Sequence, residues 1–147
     1  MDIEIRILGA GSADVLARLA PDVFDHGIDP RWCAEFLADP RHHLAVAIDA
    51  GTVVRMASAV HYVHPDKRPE LWINEVGVAA THRERGIGKR LLQALFVCAR
   101  ALGCAEAWVL TDDENTAARR LYAAAGGAES RQVMVSFNLL PAAIDGP

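Results

Sequence analysis

The stretch Leu71–Leu95, LWINEVGVAATHRERGIGKRLLQAL, changes pattern along its length, and that change decides the fold. Leu71 to Val78 reads as a β-strand. From Leu91 onward, Leu91, Leu92, Leu95, Phe96 and Ala99 recur at helical spacing until Gly103. Between the two lie Gly86 and Gly88, crowded by Arg83, Arg85, Lys89 and Arg90. A strand that turns through glycines into a helix aims free N–H groups and the positive end of the helix dipole beyond the strand. Glycines leave room for close approach, and arginine grips phosphate oxygens in a bidentate fork. The segment therefore predicts a pyrophosphate cradle; read by itself, an exposed turn with solvated charges is the alternative. It is not a P-loop, which needs glycine where Arg83 stands and a hydroxyl where Arg90 stands.

Working outward, Ile3, Ile5 and Ile7 alternate with polar residues in a first strand, Met1 to Leu8. Gly9-Ala10-Gly11 superficially suggests a dinucleotide turn, but Asp14 occupies the third glycine position. A turn followed by a Ser12-capped helix, with Val15, Leu16 and Leu19 on one face, is expected instead. Pro21 to Ile28 reads as a loop, and Asp29-Pro30 opens a second short helix that ends at Asp39-Pro40. Two β-rich runs joined at Asp49-Ala50-Gly51-Thr52 predict a hairpin. After the glycine segment come a strand Ala105 to Leu110, a helix from Thr116 to Ala125, Gly126-Gly127, and a last alternating strand through Val133, Val135 and Phe137. The order is β-α-α-β-β-β-α-β-α-β, a mixed α/β fold in one domain, residues 1–147.

Composition bounds the function. The chain has 147 residues, 52% of them apolar and 23% charged, which fits a single soluble globular unit. With no long apolar run and no signal-like N-terminus, a cytoplasmic location without membrane contact is expected. A net charge of −4 argues against nucleic acid as a partner. Cys33, Cys98 and Cys104 lack metal-like spacing, so reduced, mostly buried thiols and no metal site are expected.

Arg83-x-x-Gly86-x-Gly88 resembles the acyl-CoA pyrophosphate signature Arg/Gln-x-x-Gly-x-Gly/Ala of the GCN5-related N-acetyltransferases. The preceding NEVGV strand, the following amphipathic helix and the later DENTAARRLYAAAGG are similar to that family's segments in order and spacing. The resemblance implies a mixed, mostly antiparallel central sheet flanked by helices, and acetyl-CoA as the acetyl donor. It implies that Val76, Gly77 and Val78 run beside the pantetheine arm, with Val76 and Val78 pairing as if it were an added strand. Arg83, Arg85, Gly86, Ile87, Gly88, Lys89 and Arg90 would hold the pyrophosphate. Asn115 matches an asparagine near the pantetheine, and Tyr122 a tyrosine near the thioester sulfur, where a phenol can protonate the departing thiolate.

The acceptor amine must lose a proton. Glu75, facing away from Val76, is the leading base if its side of the sheet borders the acceptor cleft, with a structural ion pair as the alternative. His61, His64 and His82 are further bases by intrinsic pKa, though surface positions are expected for them. Within the family, YVHPDKRPELWINEVGV resembles the type I aminoglycoside 3-N-acetyltransferases, which implies a small polyamine acceptor. Asp22, Asp25 and Asp29, and Asp112, Asp113 and Glu114, could attract such a cation. A protein or peptide N-acetyltransferase, or a CoA-binding regulatory module without turnover, are the alternatives. The partners expected are a small-molecule amine and a second copy of the chain in a homodimer. Two departures stand out: Arg55 where many members have glycine, bearing on the dimer or acceptor surface, and Gly126-Gly127 where Gly-Phe is common, which removes a core aromatic and lets the final hairpin pack differently.

Overall fold

The computed structural model describes residues 2–78, 82 and 86–141. Five strands follow in chain order: β1 (Glu4–Leu8), β2 (His42–Asp49), β3 (Thr52–Tyr62), β4 (Glu70–Val78) and β5 (Glu106–Val109). They lie side by side in that same order. Neighbours are antiparallel except β4 and β5, which are parallel. A parallel pair needs a crossover, and α2 (Ile87–Ala101) supplies it. The other helices are α1 (Pro30–Ala38) and α3 (Thr116–Ala124).

The sheet's two faces follow from its side-chain sizes. Ala45 and Ala47 of β2 and Ala57 and Ala59 of β3 are fully buried, forming a smooth floor on which Leu91, Leu92 and Leu95 of α2 pack. The opposite face carries larger residues, such as Leu44, Val46 and Met56, and α1 covers part of it through Leu37 and Phe36. Asp29 caps α1 with its Oδ1 accepting from the N–H groups of Arg31 (2.9 Å) and Trp32 (3.2 Å), and Pro30 starts the helix as expected. The β2–β3 hairpin turns through Ala50 (φ 49°) and Gly51 (φ 82°), the left-handed pair that such a two-residue turn requires.

Two expectations fail. The first predicted helix is only a 3-10 segment, Ala13–Ala17, and Ser12 makes no cap; its Oγ accepts from the Gly9 N–H (3.4 Å) and helps to close the Gly9–Ser12 turn. The predicted last strand is absent: Val133, Val135 and Phe137 belong to no strand and are exposed. The reason is local. Gly126 and Gly127 terminate α3 by donating to the carbonyls of Ala123 (3.0 Å) and Tyr122 (2.9 Å), and no aromatic at 127 anchors the chain that follows to the core.

Candidate active site

A bulge sets the geometry of β4. Its register with β3 passes from Ala59↔Ile73 to Ser58↔Glu75, so Asn74 is an extra residue. Strict alternation would put Glu75 on the buried face with Leu71 and Ile73. The bulge instead moves Glu75 and Gly77 to the opposite face and returns Val76 to the α2 side, beside Ala57. It also bends the strand, and β4 parts from its neighbour: β5 pairs only with Glu70–Ile73, whereas β3 stays paired up to Val78. Residues 74–78 thus present a backbone edge with no strand on the β5 side among the described residues.

The first turn of α2 lies over the Val78 end of that edge, since Gly88 meets the side chain of Arg55, the β3 partner of Val78. Gly86 is its N-cap at φ 70°, and among the described residues no side chain caps the first-turn N–H groups. Ile87 is buried and anchors the turn, and Lys89 and Arg90 are exposed. Arg90 donates from Nη2 to the Ile3 carbonyl (3.0 Å), so part of its guanidinium ties α2 to the start of β1. Arg83 and Arg85 lie outside the described residues.

Gly88 has a role the sequence did not reveal. It is buried, and a Cβ there would lie 2.6 Å from Nη2 of Arg55 and 2.9 Å from Cδ1 of Leu121. Its missing side chain makes room for protein as well as leaving the turn open. Arg55 reaches from β3 under α2, with its Nε buried and without a hydrogen-bond partner among the described residues. Its neighbour is Tyr122, half-buried on α3. Burial pushes the Tyr122 phenol above its ordinary pKa of 10.0, and the Arg55 charge partly offsets this. Burial likewise lowers the pKa of Arg55, against the opposing influence of Tyr122. A glycine-to-arginine departure in a strand running into a β-hairpin carries no signal of this placement, because Arg55 meets Gly88 and Tyr122 only in the folded sheet.

Asn115 caps α3, its Oδ1 accepting from the Ala118 N–H (3.1 Å). Glu75 is exposed on the face away from α2 and has no ion-pair partner among the described residues. The loop carrying Asp22 and Asp25 crosses that same face: Val23 is buried, and a Cβ on Gly77 would overlap its backbone carbonyl. Asp22 and Asp25 are exposed. Trp72 of β4 lies on this face too, stacked on Trp108 (centroids 5.2 Å, interplanar 10°), whose Nε1 donates to Tyr62 Oη (2.7 Å). The second acidic cluster is differently placed. Asp113 is held by Arg131 (3.1 Å) and Arg119 (3.3 Å), which keep its carboxyl below the usual range, and Asp112 uses its carbonyl to accept from the Asn115 N–H. The three histidines are engaged: His61 with His43 (2.8 Å), His64 with Glu70 (2.7 Å) and His82 with Asp49 (2.6 Å).

A bulged strand parting from its parallel neighbour beside a helix N-terminus is an arrangement with room and dipole for an extended, anion-bearing ligand. The acetyltransferase (GNAT) family model matches residues 13–126. The chain belongs to the GNAT family. No curated protein sequence matches it. Among solved structures, the aminoglycoside acetyltransferase meta-AAC0020 from an uncultured soil metagenomic sample, in complex with trehalose, is similar at TM-score 0.80 and 19% identity, over 95% of this chain and 97% of that one. The aminoglycoside N-acetyltransferase AAC(6′)-Iy, in complex with the bisubstrate analogue CoA-S-monomethyl-acetylneamine, is similar at TM-score 0.78 and 22% identity, over 95% and 100%. The ribosomal-protein-alanine N-acetyltransferase from Brucella melitensis biovar Abortus 2308 follows at TM-score 0.70 and 19% identity, over 92% and 100%. At such identities the likeness is one of fold, and the GNAT fold here spans small-molecule and protein acetyltransferases. AAC(6′)-Iy is named for the 6′ position, and none of the three carries the 3-N designation to which the sequence was likened.

Proposed function

We propose that this GNAT protein transfers acetyl from acetyl-CoA directly to a primary amine of a small polyamine, of which an aminoglycoside is the favoured class. The observation that carries the reading is the parting of β4 from β5 after Ile73 and Val109, beside the open N-terminus of α2. The free edge at Val76 and Val78 suits the amide-bearing pantetheine arm as a strand-like guest. The turn at Gly86–Arg90 suits the pyrophosphate, with Arg83 and Arg85 as further ligands. When bound, acetyl-CoA supplies the activated acetyl group.

The chain's own residues supply position and proton transfer. Tyr122, kept protonated by burial, is the proton donor to the departing thiolate. Glu75, on the other face, accepts the proton of the incoming amine, directly or through water. Asp22 and Asp25 beside it draw in a polycation, and the likeness in fold to aminoglycoside acetyltransferases in complex with sisomicin and with CoA-S-monomethyl-acetylneamine favours an aminoglycoside. Direct transfer needs no cysteine as an acyl carrier, and burial pushes the Cys33 and Cys104 thiols up in pKa, away from a reactive thiolate. The protein is read as cytoplasmic.

The test is thiol release from acetyl-CoA with a panel of aminoglycosides, linear polyamines and peptides. Turnover with aminoglycosides or polyamines is expected, and the position acetylated decides between 3-N and 6′ chemistry. Turnover confined to peptides, or tight CoA binding with no turnover on any amine, overturns the proposal.

A further inference from the structure

Four aromatic side chains are joined on the face of the sheet that carries Glu75. Trp72 of β4 and Trp108 of β5 occupy paired positions, and their indoles stack with 5.2 Å between centroids and 10° between planes. Trp108 Nε1 donates to Tyr62 Oη (2.7 Å), and the Tyr62 ring meets that of His64 edge-on at 5.2 Å and 74°. His64 in turn shares a hydrogen bond with Glu70 (2.7 Å). Each ring is held by its neighbour, so much of the freedom that a surface tryptophan loses on meeting a ligand is already gone. The stack covers one face of Trp72 only. The residue is still 38% exposed, although tryptophan is highly buried on average.

The bulge at Asn74 brings this platform next to the proposed base. Trp72, Glu75 and Gly77 lie opposite Val60, Ser58 and Met56 of β3, which follow one another at two-residue intervals on one face. Trp72 and Glu75, three apart in sequence, are therefore successive side chains on that face, about 7 Å apart along the strand. Gly77 is the next position, and there the loop of residues 21–28 crosses, with the Val23 carbonyl where a Cβ would stand. Glu75 thus lies between an aromatic platform and the loop that bears Asp22 and Asp25. None of these three carboxylates has an ion-pair partner among the described residues.

We propose that Trp72, backed by Trp108, is a specificity-determining residue: it stacks against a ring of the amine substrate and so favours ring-bearing polyamines over linear ones. The inference rests on the reading of the Glu75 face as the acceptor side. The face of an indole is electron-rich. It attracts ammonium groups, and also the C–H groups of an amino sugar or aminocyclitol, which the neighbouring nitrogen and oxygen atoms leave slightly positive. A ring lying on Trp72 can extend an amino group toward Glu75, one side-chain position away, while its further ammonium groups face Asp22 and Asp25. A linear polyamine offers the same charges but no rigid face, and it must give up its chain rotations to follow the platform. An aromatic peptide side chain would stack as well, but the three unpaired carboxylates favour a polycation.

Two readouts test this, one with turnover and one without. The first is the ratio of kcat/KM for sisomicin to kcat/KM for spermidine. Trp72→Leu keeps apolar cover on the strand but has no ring, and should lower that ratio about tenfold through the KM for sisomicin, with the KM for acetyl-CoA unchanged. Trp72→Phe keeps a ring face and should hold the ratio within about threefold of the parent. Equal effects of the two substitutions, or equal losses on the two amines, would make Trp72 a packing residue and overturn the proposal. For the second readout, Trp32→Phe removes the exposed tryptophan of α1, so that emission reports Trp72 and Trp108. Titration with sisomicin in the presence of CoA should give a saturable change that Trp72→Leu largely abolishes. No change in emission overturns the platform even where the protein acetylates amines. A saturable, Trp72-dependent change in a protein that acetylates no amine leaves the ring site standing and overturns the transfer reaction alone.

Discussion

Gly77→Ala sets two effects of opposite sign against each other. Backbone entropy alone makes alanine in a strand better than glycine by about 0.5–1 kcal/mol. At Gly77, however, the new methyl group would overlap the carbonyl of Val23 and come within 2.9 Å of its carbonyl carbon. These are backbone atoms of a residue whose side chain is buried, so no rotamer change relieves the clash; the Pro21–Ile28 loop must lift from β4. Overpacking costs about 1–3 kcal/mol, and a clash with backbone that no rotamer relieves belongs at about 2–3 of that range, which leaves a net loss of about 1–2 kcal/mol after an entropy gain of up to about 1 kcal/mol. For a domain of this size that is a fall in Tm of about 3–6 °C. Urea denaturation and thermal melting give the stability. Acetyl-CoA and amine titrations give the second readout, because the lifted loop carries Asp22 and Asp25. The KM for the amine should rise several-fold while that for acetyl-CoA changes little. A variant as stable as the parent, or more stable, would refute the packing argument, and an equal rise in both KM values would refute the assignment of this loop to the acceptor side.

Four further outcomes follow from named contacts. Tyr122→Phe should lower kcat by about 10²-fold with little change in acetyl-CoA affinity; steady-state kinetics showing equal losses would make Tyr122 a packing residue. Gly86→Asp keeps an acceptable N-cap and a residue type that tolerates the left-handed region, so stability should change by no more than about 1–2 kcal/mol. Its negative charge should nevertheless weaken CoA binding at least tenfold by calorimetry, and unchanged affinity would remove the pyrophosphate from this turn. Asn115→Ala should cost about 1 kcal/mol through the lost α3 cap, read by denaturation; a loss of CoA affinity without a loss of stability would assign it to the ligand instead. His43 is held below its ordinary pKa of 6.5, by burial first and then by His61 and His42. Its folded pKa is therefore lower than its unfolded one, so its contribution is full above about pH 6.5 and is lost as pH falls further. The Tm should drop between pH 7 and pH 5, and His43→Gln should flatten that slope.

What the sequence made legible is what local physics determines. The hairpin at Ala50-Gly51, the Asp29-Pro30 helix start and the leucine spacing of α2 are each set within a few residues, and each stands in the structure as expected. Glu75 lies on the face expected, but adjacency to Val76 says only that the two residues point apart; the Asn74 bulge, invisible in the pattern LWINEVGV, is what takes Glu75 off the buried face. The expected last strand is absent for a complementary reason. Val133, Val135 and Phe137 do have the alternation of a strand, but alternation states a preference for pairing and not the existence of a partner edge. Arg55 and Gly88 illustrate the remaining gap. Each is readable as an oddity or as a motif glycine, and their contact exists only because β3 passes beneath the first turn of α2.

That contact bears on the proposed chemistry. A buried phenol is well suited to holding a proton at neutral pH and poorly suited to giving it up, since burial that raises its pKa also penalises the phenolate left behind. Tyr122 by itself would meet this conflict. Arg55 eases it: the guanidinium favours the anionic product and leaves the neutral phenol nearly untouched. The opposed influences on Tyr122, burial raising and Arg55 lowering, are then the two requirements of one proton donor. Arg55→Met, close in length but uncharged, should leave Gly88 and Leu121 packed and the phenol still protonated. It should also slow turnover and move the alkaline limb of the kcat profile upward, because the remaining influence on Tyr122 is burial. An alkaline limb that stays in place, with slowed turnover, would show that Arg55 acts on packing or binding and not on the proton of Tyr122.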